Sequence, residues 1–177
     1  MFRYCPACAS EKIRFEQCRV NCCPECGFTY YHNTAAATGC IIRTNEGLLF
    51  IIRGREPGKG KLDLPGGFVD PGEGAMDGMR REIIEELGID YKTGDFKLFA
   101  SFPNKYFYKN ISYNTCDLFF HLDVPDLTEK DLHPDSSEIS AVRFIKTEEL
   151  ELEQIAFESV KKAICIYLDT IYLNKHG

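Results

Sequence analysis

Three glutamates, Glu82, Glu85 and Glu86, lie close together in the chain. On a helix, where successive residues turn by about 100°, their side chains would share one face. Like charges at this spacing destabilise an isolated helix, and a divalent cation held by the three carboxylates would reverse that effect. Hard oxygen ligands suit Mg²⁺ or Mn²⁺. The alternative is a solvated acidic face, which many surface helices have.

Four cysteines near the N-terminus form two Cys-x-x-Cys pairs with 14 residues between them. Cys5 pairs with Cys8, and Cys23 pairs with Cys26. Each pair presents two thiolates to one metal ion, and two pairs supply the tetrahedral set that structural Zn²⁺ favours. The pattern therefore predicts a zinc ribbon.

The chain has nine cysteines, and an odd number without a secretory signal argues against a disulfide framework. Cys22 and Cys18 are spare cysteines of the N-terminal region. Cys23 is preferred to Cys22 as a ligand because only Cys23 stands at the Cys-x-x-Cys spacing. The remaining three are predicted to be small buried hydrophobes: Cys40, Cys116 and Cys165.

The glutamates need an element that positions them, and the sequence predicts a helix over residues 75–87. Gly88 is the expected C-terminal glycine of that helix. Ile83, Ile84 and Leu87 occupy the side opposite the glutamates and are predicted to pack on a sheet.

Alternating apolar residues and flanking turns predict strands over residues 34–43, 47–53, 62–64, 96–102, 113–122 and 141–145. An aromatic-rich loop is predicted between the fourth and fifth of these strands. A last helix is predicted over residues 153–173, with an apolar stripe that includes Ile171 and packs into the core.

The charge of the chain is concentrated around the glutamates. The net charge is −6 and the pI about 5.3, and the segment from Asp63 to Asp90 contains enough acids to account for it. This balance argues against a broad grip on nucleic acid phosphates. No apolar run is long enough to span a bilayer and no signal peptide is evident, so no membrane association and a cytoplasmic location are predicted.

The segment around the glutamates resembles the Nudix box. The matching positions are Gly67, Glu73, Arg81, Glu82, Ile83, Glu85, Glu86, Gly88 and Ile89. The Pro-Gly-Gly-Phe-Val sequence at residues 65–69 and the strand pair before it extend the resemblance over residues 34–177. It implies an α/β fold, the Nudix α/β/α sandwich with a mixed sheet, preceded by a small zinc ribbon at residues 1–33.

The resemblance also implies roles for single residues. Glu82, Glu85 and Glu86 would hold catalytic divalent ions, with help from the main-chain carbonyl of Gly66. Arg81 and Glu73 would form a salt bridge that fixes the loop against the helix. On the helical wheel, Arg81 is predicted to point away from Glu82.

Family members often use one more acid from a loop far downstream. Glu138 occupies the matching place in the NADH-pyrophosphatase branch of the family. Asp135 and Glu129 are alternatives, and Glu138 is otherwise a plain surface acid.

Two arginines in a basic loop, Arg53 and Arg55, are candidates for contact with the substrate. With Lys59 and Lys61 they would add positive charge beside the leaving group of a pyrophosphate. Ordinary solvated surface charge is the alternative.

Tyr106 and Tyr108, in the aromatic-rich loop, are candidates for stacking on a nucleobase. At least one of them is predicted to be exposed toward the metal site. The alternative is that these side chains pack under the sheet.

A Cys-Pro-x-Cys-Gly ribbon ahead of a Nudix domain is similar to the NADH-pyrophosphatase group. The resemblance implies metal-dependent hydrolysis of the pyrophosphate bond of a nucleoside diphosphate linked to another group, as in NAD(H) or ADP-ribose. Two features depart from that group: residues 101–107 read Ser-Phe-Pro-Asn-Lys-Tyr-Phe in place of its Ser-Gln-Pro-Trp-Pro-Phe-Pro element, and the chain has no tryptophan.

Two other functions stay open at this stage. One is the clearance of modified nucleoside triphosphates by the same chemistry. The other is a non-catalytic Nudix protein that senses a ligand or binds nucleic acid through the ribbon. The expected partner is a small nucleotide derivative, no nucleic acid partner is expected, and a homodimer is left open.

Overall fold

The computed structural model describes residues 2–17 and 19–172. The chain divides into two compact units, Met1–Thr34 and Ala35–Gly177. Cys18 and the predicted end of the last helix at Leu173 lie outside the described residues, as does the side chain of Ile171.

The smaller unit contains a three-stranded antiparallel sheet in which the second strand is central. Its strands are β1 Arg14–Glu16, β2 Val20–Cys22 and β3 Thr29–Tyr31. The residues before β1 and between β2 and β3 form tight turns, which carry the two Cys-x-x-Cys pairs.

The larger unit is built on a six-stranded sheet. Its strands are β4 Ala35–Arg43, β5 Leu48–Arg53, β6 Leu62–Asp63, β7 Lys97–Tyr108, β8 Ile111–Asp123 and β9 Ile139–Ile145. Their order is β6-β5-β4-β8-β7, and β9 also pairs with β5. Because β4 and β8 are parallel and the other neighbours antiparallel, the sheet is mixed, as predicted.

Two helices cover the two faces of this sheet. They are α1 Ala75–Leu87 and α2 Glu158–Ile166, and a π-helical stretch, Tyr167–Tyr172, follows α2. Short 3-10 helices occupy Thr93–Asp95, Glu129–Asp131, Thr147–Glu149 and Leu152–Gln154.

The alternation of side chains along β4 shows that the helices lie on opposite faces. Ile42 packs in the apolar cluster of α1, and its neighbour Ile41 packs in that of α2. The predicted α/β/α sandwich is therefore confirmed. Ile83 and Leu87 of α1 are fully buried, but the prediction for Ile84 is wrong, since this residue is 40% exposed.

The prediction of an aromatic-rich loop is wrong, because residues 102–108 belong to β7. Its pairing with β8 continues to Tyr108 opposite Ile111. The connection is a two-residue turn, Lys109 and Asn110, in which both residues have positive φ. Such turns match the twist of the strands, so both strands run to the end of the hairpin.

The last helix begins later than predicted, at Glu158. Its predicted first turn is a 3-10 helix, Leu152–Gln154. Ile155 then forms a bridge with Leu62, and the N–H group of Ala156 donates to the carbonyl of Leu62. These contacts hold the chain extended beside β6 and delay the start of α2.

The cysteines outside the ribbon are only partly as predicted. Cys40 is buried, whereas Cys116 and Cys165 are exposed. Cys116 lies on β8 between two buried polar residues, Thr115 and Asp117. The pleat of the strand therefore turns the polar side chains inward and the cysteine outward.

No helix among residues 2–17 and 19–172 is long and apolar enough to cross a membrane.

The sheet of the larger unit divides along one edge of β5. Only the last two residues of β4, Ile42 and Arg43, pair with β5. Farther along β5, the same edge pairs with β6. β4 and β5 thus diverge, and residues 64–69 run beside β4 in the opening. The candidate site lies at this division.

Candidate active site and cysteine cluster

A cleft of about 430 Å³ opens where β4 and β5 diverge. One part of its wall is acidic and the other is partly aromatic. The acidic part includes Glu82, Glu85, Glu86, Asp135 and Glu138. The other part includes Phe68, Asn104, Tyr106, Thr115, Asp117, Phe157 and Val160.

Backbone hydrogen bonds fix residues 64–69 against β4. The N–H group of Thr38 donates to the carbonyl of Gly67 at 2.7 Å, and the N–H group of Val69 donates to the carbonyl of Ala36 at 3.0 Å. The segment therefore pairs with the part of β4 that does not pair with β5.

Two glycines allow this segment to approach its neighbours. Gly66 has a φ of +144°, and a Cβ atom there would collide with the carbonyl oxygen of Thr38. A Cβ atom on Gly67 would collide with the carboxylate of Glu82. Glycine at both positions brings the backbone against β4 and against the glutamates of α1.

Glu86 is the most deeply placed of the three glutamates. Its Oε2 accepts a hydrogen bond of 2.8 Å from the N–H group of Gly66. Burial raises the pKa of Glu86 well above its usual value, the Gly66 hydrogen bond opposes this rise, and the charge of Glu82 adds to it. Burial also raises the pKa of Glu82, against the influence of Arg81.

Arg81 connects Glu73, in the loop before α1, to the glutamates of α1. Its Nη2 lies 2.7 Å from Glu73 Oε1, and its Nη1 lies 2.9 Å from Glu82 Oε1 and 3.0 Å from Glu85 Oε2. The hydrogen bond from Arg81 is the main reason that the pKa of Glu73 is lowered. The expectation that Arg81 points away from Glu82 is wrong, because its long side chain reaches both Glu73 and the glutamates.

The downstream acidic loop is tied to the C-terminal end of α1. The N–H groups of His133 and Asp135 donate to the carbonyls of Leu87 and Glu86, at 2.8 and 3.1 Å. These carbonyls have no partner within the helix, so the loop caps it. This connection brings Glu138 to the cleft.

Glu138 and Arg55 form an ion pair on the cleft wall. Arg55 Nη2 lies 2.6 Å from Glu138 Oε2. The charge of Glu138 is among the influences that raise the pKa values of Glu82 and Glu86. Of the two alternatives, Asp135 also lines the cleft, whereas Glu129 does not.

Arg53 lines the cleft, but its polar groups are used within the fold. Its Nη1 lies 2.7 Å from Asp63 Oδ2, its Nε donates to the carbonyl of Pro57, and its guanidinium lies 4.9 Å from the centre of the Phe157 ring. Burial raises the pKa of Asp63 to about 6, and Arg53 opposes this rise. The two lysines of the same loop, Lys59 and Lys61, are exposed and outside the cleft wall.

The two candidate tyrosines occupy different positions. Tyr106 is half-buried in the cleft wall, with its ring centre 5.5 Å from that of Phe68 and 5.9 Å from that of Phe157. Tyr108 packs beside Tyr106 at 6.3 Å but does not line the cleft. Tyr106 is thus the tyrosine that the fold directs to the site.

The sequence interpretation missed a polar group at the aromatic part of the cleft. Asp117 Oδ1 accepts a hydrogen bond of 2.6 Å from the hydroxyl of Thr115, and Oδ2 accepts one of 2.7 Å from the hydroxyl of Ser159. All three side chains are buried. The available signal was an acid at an inward position of a core strand, where charged residues are rare.

In the smaller unit, the sulfur atoms of Cys5, Cys8, Cys23 and Cys26 all lie within 4.8 Å of one another. Two of the separations are 3.6 and 3.7 Å. Four sulfurs bound tetrahedrally at about 2.3 Å from a metal would be about 3.8 Å apart, so the cluster fits such an ion. Among the described residues, this is the group that gathers at least three potential ligand atoms so closely.

The thiol of Cys23 is disposed toward ionisation. Burial acts to raise its pKa, but hydrogen bonds from the backbone N–H groups of Cys26 and Glu25 lower it to about 7. A thiolate is the form that binds a metal. Cys22 is the adjacent cysteine and is not part of the cluster.

A family profile described as NUDIX domain matches residues 33–164. The chain belongs to the Nudix family. The matched region contains the whole cleft, from β4 to the first residues of α2.

Two curated relatives share the Nudix region. The chain is 30% identical over 101 residues to an NAD-capped RNA hydrolase NudC of Chromobacterium violaceum, which covers 57% of this chain and 38% of that protein. It is 43% identical over 76 residues to an ADP-ribose pyrophosphatase of Methanocaldococcus jannaschii, which covers 43% of this chain and 44% of that protein. Less than half the length of either relative is matched.

A crystal structure of a Nudix hydrolase from Nitrosomonas europaea is similar over almost the whole chain. The TM-score is 0.70 at 25% sequence identity, with 97% of this chain and 93% of that chain covered.

Proposed function

We propose that this Nudix protein hydrolyses the pyrophosphate bond of a nucleoside diphosphate linked to another group, with NAD(H) or an ADP-ribose-like compound as substrate. The observation that carries the proposal is the composition of one cleft. Glu82, Glu85 and Glu86 line one part of it, and the rings of Tyr106 and Phe157 line another. Such a cleft suits a molecule with a charged diphosphate and a planar base.

The three glutamates and the carbonyl of Gly66 are proposed to hold Mg²⁺ or Mn²⁺, which would neutralise phosphate charge and lower the pKa of a bound water. Glu86 is already fixed by Gly66. The side chain of Glu85 is 59% exposed, and turning it toward Glu82 would let both carboxylates share an ion.

The side chains around the cluster have supporting roles in this proposal. Glu82 accepts the proton of the attacking water. Glu73 anchors Arg81, whose guanidinium contacts the carboxylates of the cluster. Glu138 is the additional downstream acid, and Arg55 holds it at the cleft.

The ribbon at residues 1–33 is proposed to bind one structural Zn²⁺ through its four clustered cysteines, ahead of a Nudix domain at residues 34–177. Four protein ligands leave no open position for a substrate, so the ion would stabilise the ribbon and take no part in hydrolysis. A cytoplasmic location and a homodimer stay predictions.

The names of the relatives supply the substrates to test. Both NAD-capped RNA and ADP-ribose carry a diphosphate next to an adenosine. We therefore propose to compare NAD(H), ADP-ribose, NAD-capped RNA, nucleotide sugars and nucleoside triphosphates, each with Mg²⁺ or Mn²⁺, by quantifying the released mononucleotides. Turnover of the capped RNA would overturn the expectation that no nucleic acid is bound.

Two variants on α1, one a test and one its matched control, examine the proposed site. Glu85→Gln removes a carboxylate from the cleft, and we expect kcat/KM to fall by about 100-fold or more. Asp77→Asn makes the same change at an exposed position of α1 outside the cleft wall, and kcat/KM should stay near the wild-type value. Equal activities of the two variants would contradict the proposed site.

A further inference from the structure

The buried polar group at the aromatic part of the cleft has no role in the proposed hydrolysis. We call Thr115, Asp117 and Ser159 the Asp117 trio. Their exposures are 3%, 8% and 2%, so all three are screened from bulk solvent. Thr115 and Asp117 line the cleft, and Ser159 supports the carboxylate from α2 behind the wall.

The hydrogen bonds of the trio decide what it can offer a ligand. Each hydroxyl has one hydrogen, and both hydrogens are donated to Asp117, to Oδ1 from Thr115 and to Oδ2 from Ser159. An ionised carboxylate only accepts hydrogen bonds, and each of its oxygens can accept a further one. The trio therefore presents acceptors, and no donor, to the cleft.

The carboxylate of Asp117 has no ion-pair partner among residues 2–17 and 19–172. No arginine or lysine in the described part of the chain lies within ion-pair distance of Asp117, whereas the other buried aspartate of the cleft, Asp63, is paired with Arg53. A buried acceptor of this kind binds a hydrogen-bond donor strongly.

The surroundings of the trio suit a flat ring. Ser159 lies two residues after Phe157 in the chain, and the ring of Phe157 faces that of Tyr106 at 5.9 Å with an angle of 37° between the planes. Val160, next to Ser159, adds apolar surface to the same wall. Aromatic and aliphatic surfaces beside buried acceptors are typical of a site for a planar heterocycle.

We propose that Asp117 is a specificity-determining residue that binds an amino group on a planar heterocycle of the substrate. The donor would be the 6-amino group of adenine or the carboxamide NH₂ group of nicotinamide. A ring with a carbonyl or carboxylate oxygen at that position would meet a second acceptor and be rejected. This inference rests on the proposed function, because it assigns the base end of that substrate.

The test compares substrates that differ in this one group. ADP-ribose and inosine diphosphate ribose differ at the purine 6-position, and NAD⁺ and nicotinic acid adenine dinucleotide differ at the carboxamide. We expect the wild-type protein to prefer the amino-bearing member of one pair by about tenfold or more in kcat/KM, the effect of losing one hydrogen bond to a charged group. The pair that is discriminated identifies the ring.

Variants then assign the preference to the trio. Asp117→Asn keeps the volume of the side chain but adds a donor and removes the charge, so the preference should fall by about tenfold. Ser159→Ala removes one support of the carboxylate and should weaken the preference less. Asp123→Asn is the matched control, since it is the same change on β8 at a residue bound to Arg43, outside the cleft wall.

Equilibrium binding separates this inference from the proposed function. Calorimetry would compare AMP with IMP, and nicotinamide mononucleotide with nicotinic acid mononucleotide. A binding preference that Asp117→Asn abolishes, in a protein that hydrolyses none of the dinucleotides, would refute the function and keep the inference. Equal wild-type affinities and rates within both pairs would overturn the inference, whether or not the variants fold, as would a preference that a folded Asp117→Asn variant retains.

Discussion

Glu86 is a buried carboxylic acid, and burial disfavours the ionised form of its side chain. Its pKa is raised by burial first and by the charge of Glu82 as well. An acid with a raised pKa destabilises the folded state at a pH where it is ionised. A residue placed to bind a cation is thus unfavourable for folding when no cation is supplied.

We predict that Glu86→Gln abolishes activity and stabilises the metal-free protein. The amide oxygen of glutamine can still accept the hydrogen bond from Gly66, so the loop contact is kept. Thermal unfolding followed by circular dichroism, at pH 7 with a chelator, should show a Tm raised by about 2 °C or more. An unchanged or lower Tm would argue that the carboxylate is not strained by its surroundings.

Asp63 gives the protein a defined pH dependence. Burial raises its pKa from 3.8 to about 6, against the influence of Arg53. Between these values the folded state binds more protons than the unfolded state. The contribution of Asp63 to the free energy of unfolding is therefore fully present at low pH and is lost as the pH rises through about 6.

We predict that Asp63→Asn removes this contribution. The free energy of unfolding of the variant, measured by urea denaturation with a chelator present, should fall less steeply between about pH 4 and 6, by up to about 1.4 kcal/mol per pH unit. Parallel curves for wild type and Asp63→Asn would contradict the assignment.

The sequence was informative about residues whose chemistry depends on local spacing. The glutamates of α1 and the Cys-x-x-Cys pairs could be proposed because a helix or a tight turn fixes their arrangement. Asp117 could not, since its partner Ser159 lies 42 positions away and only the packing of α2 on the sheet brings them together. The direction of Arg81 was missed because a helical wheel places the Cα atom and not the end of a long side chain.

At the scale of elements, the β7–β8 hairpin determines which aromatic residues face the cleft. Residues 102–108 read as a loop because Pro103 and Asn104 interrupt the apolar alternation. Lys109 and Asn110, both with positive φ, form a two-residue turn that the sequence interpretation did not anticipate. As a strand, the segment places Tyr106 in the cleft wall and leaves Tyr108 outside that wall.

We predict that Tyr106→Ala raises KM for NADH or ADP-ribose by about tenfold or more, with a smaller effect on kcat, because stacking contributes to the binding of substrate and transition state alike. Tyr108→Ala is the matched control on the same strand and should change KM less. If both variants keep the wild-type KM, the base is bound elsewhere in the protein.

The boundaries of helices differed in how well they could be predicted. α1 has the predicted bounds, because Gly88 ends it in a left-handed conformation with a hydrogen bond to Ile84. α2 begins at Glu158, since the residues before it pair with β6. The local sequence predicts a helix end at a glycine, but it does not predict a contact with a strand about 90 residues earlier.

At the scale of the whole molecule, the ribbon and the Nudix unit have different sources of stability. The larger unit has two apolar clusters that cover both faces of its sheet. The smaller unit has three strands of three residues each, and its turns carry the four clustered thiols. A unit of this size needs a metal or cross-links to fold stably.

We predict that the purified protein holds about one zinc ion per chain and that Cys23→Ser loses it, because metal binding and ribbon folding are linked. Elemental analysis gives the stoichiometry, and limited proteolysis should show faster cleavage within residues 1–33 of this variant. Cys22→Ser, the adjacent change, should retain the metal. The reverse pattern would show that Cys22 is the ligand.

The hydrogen bonds between the end of α1 and the loop at residues 133–138 have a consequence for hydrogen exchange. The amides of His133 and Asp135 donate to carbonyls of Leu87 and Glu86, so they can exchange with solvent only when that contact opens. A cation that orders the glutamates of α1 should therefore slow deuterium uptake at two amides almost 50 residues downstream. Mass spectrometry with and without Mg²⁺ would detect this as joint protection of both segments, and protection of α1 alone would show that the loop opens independently.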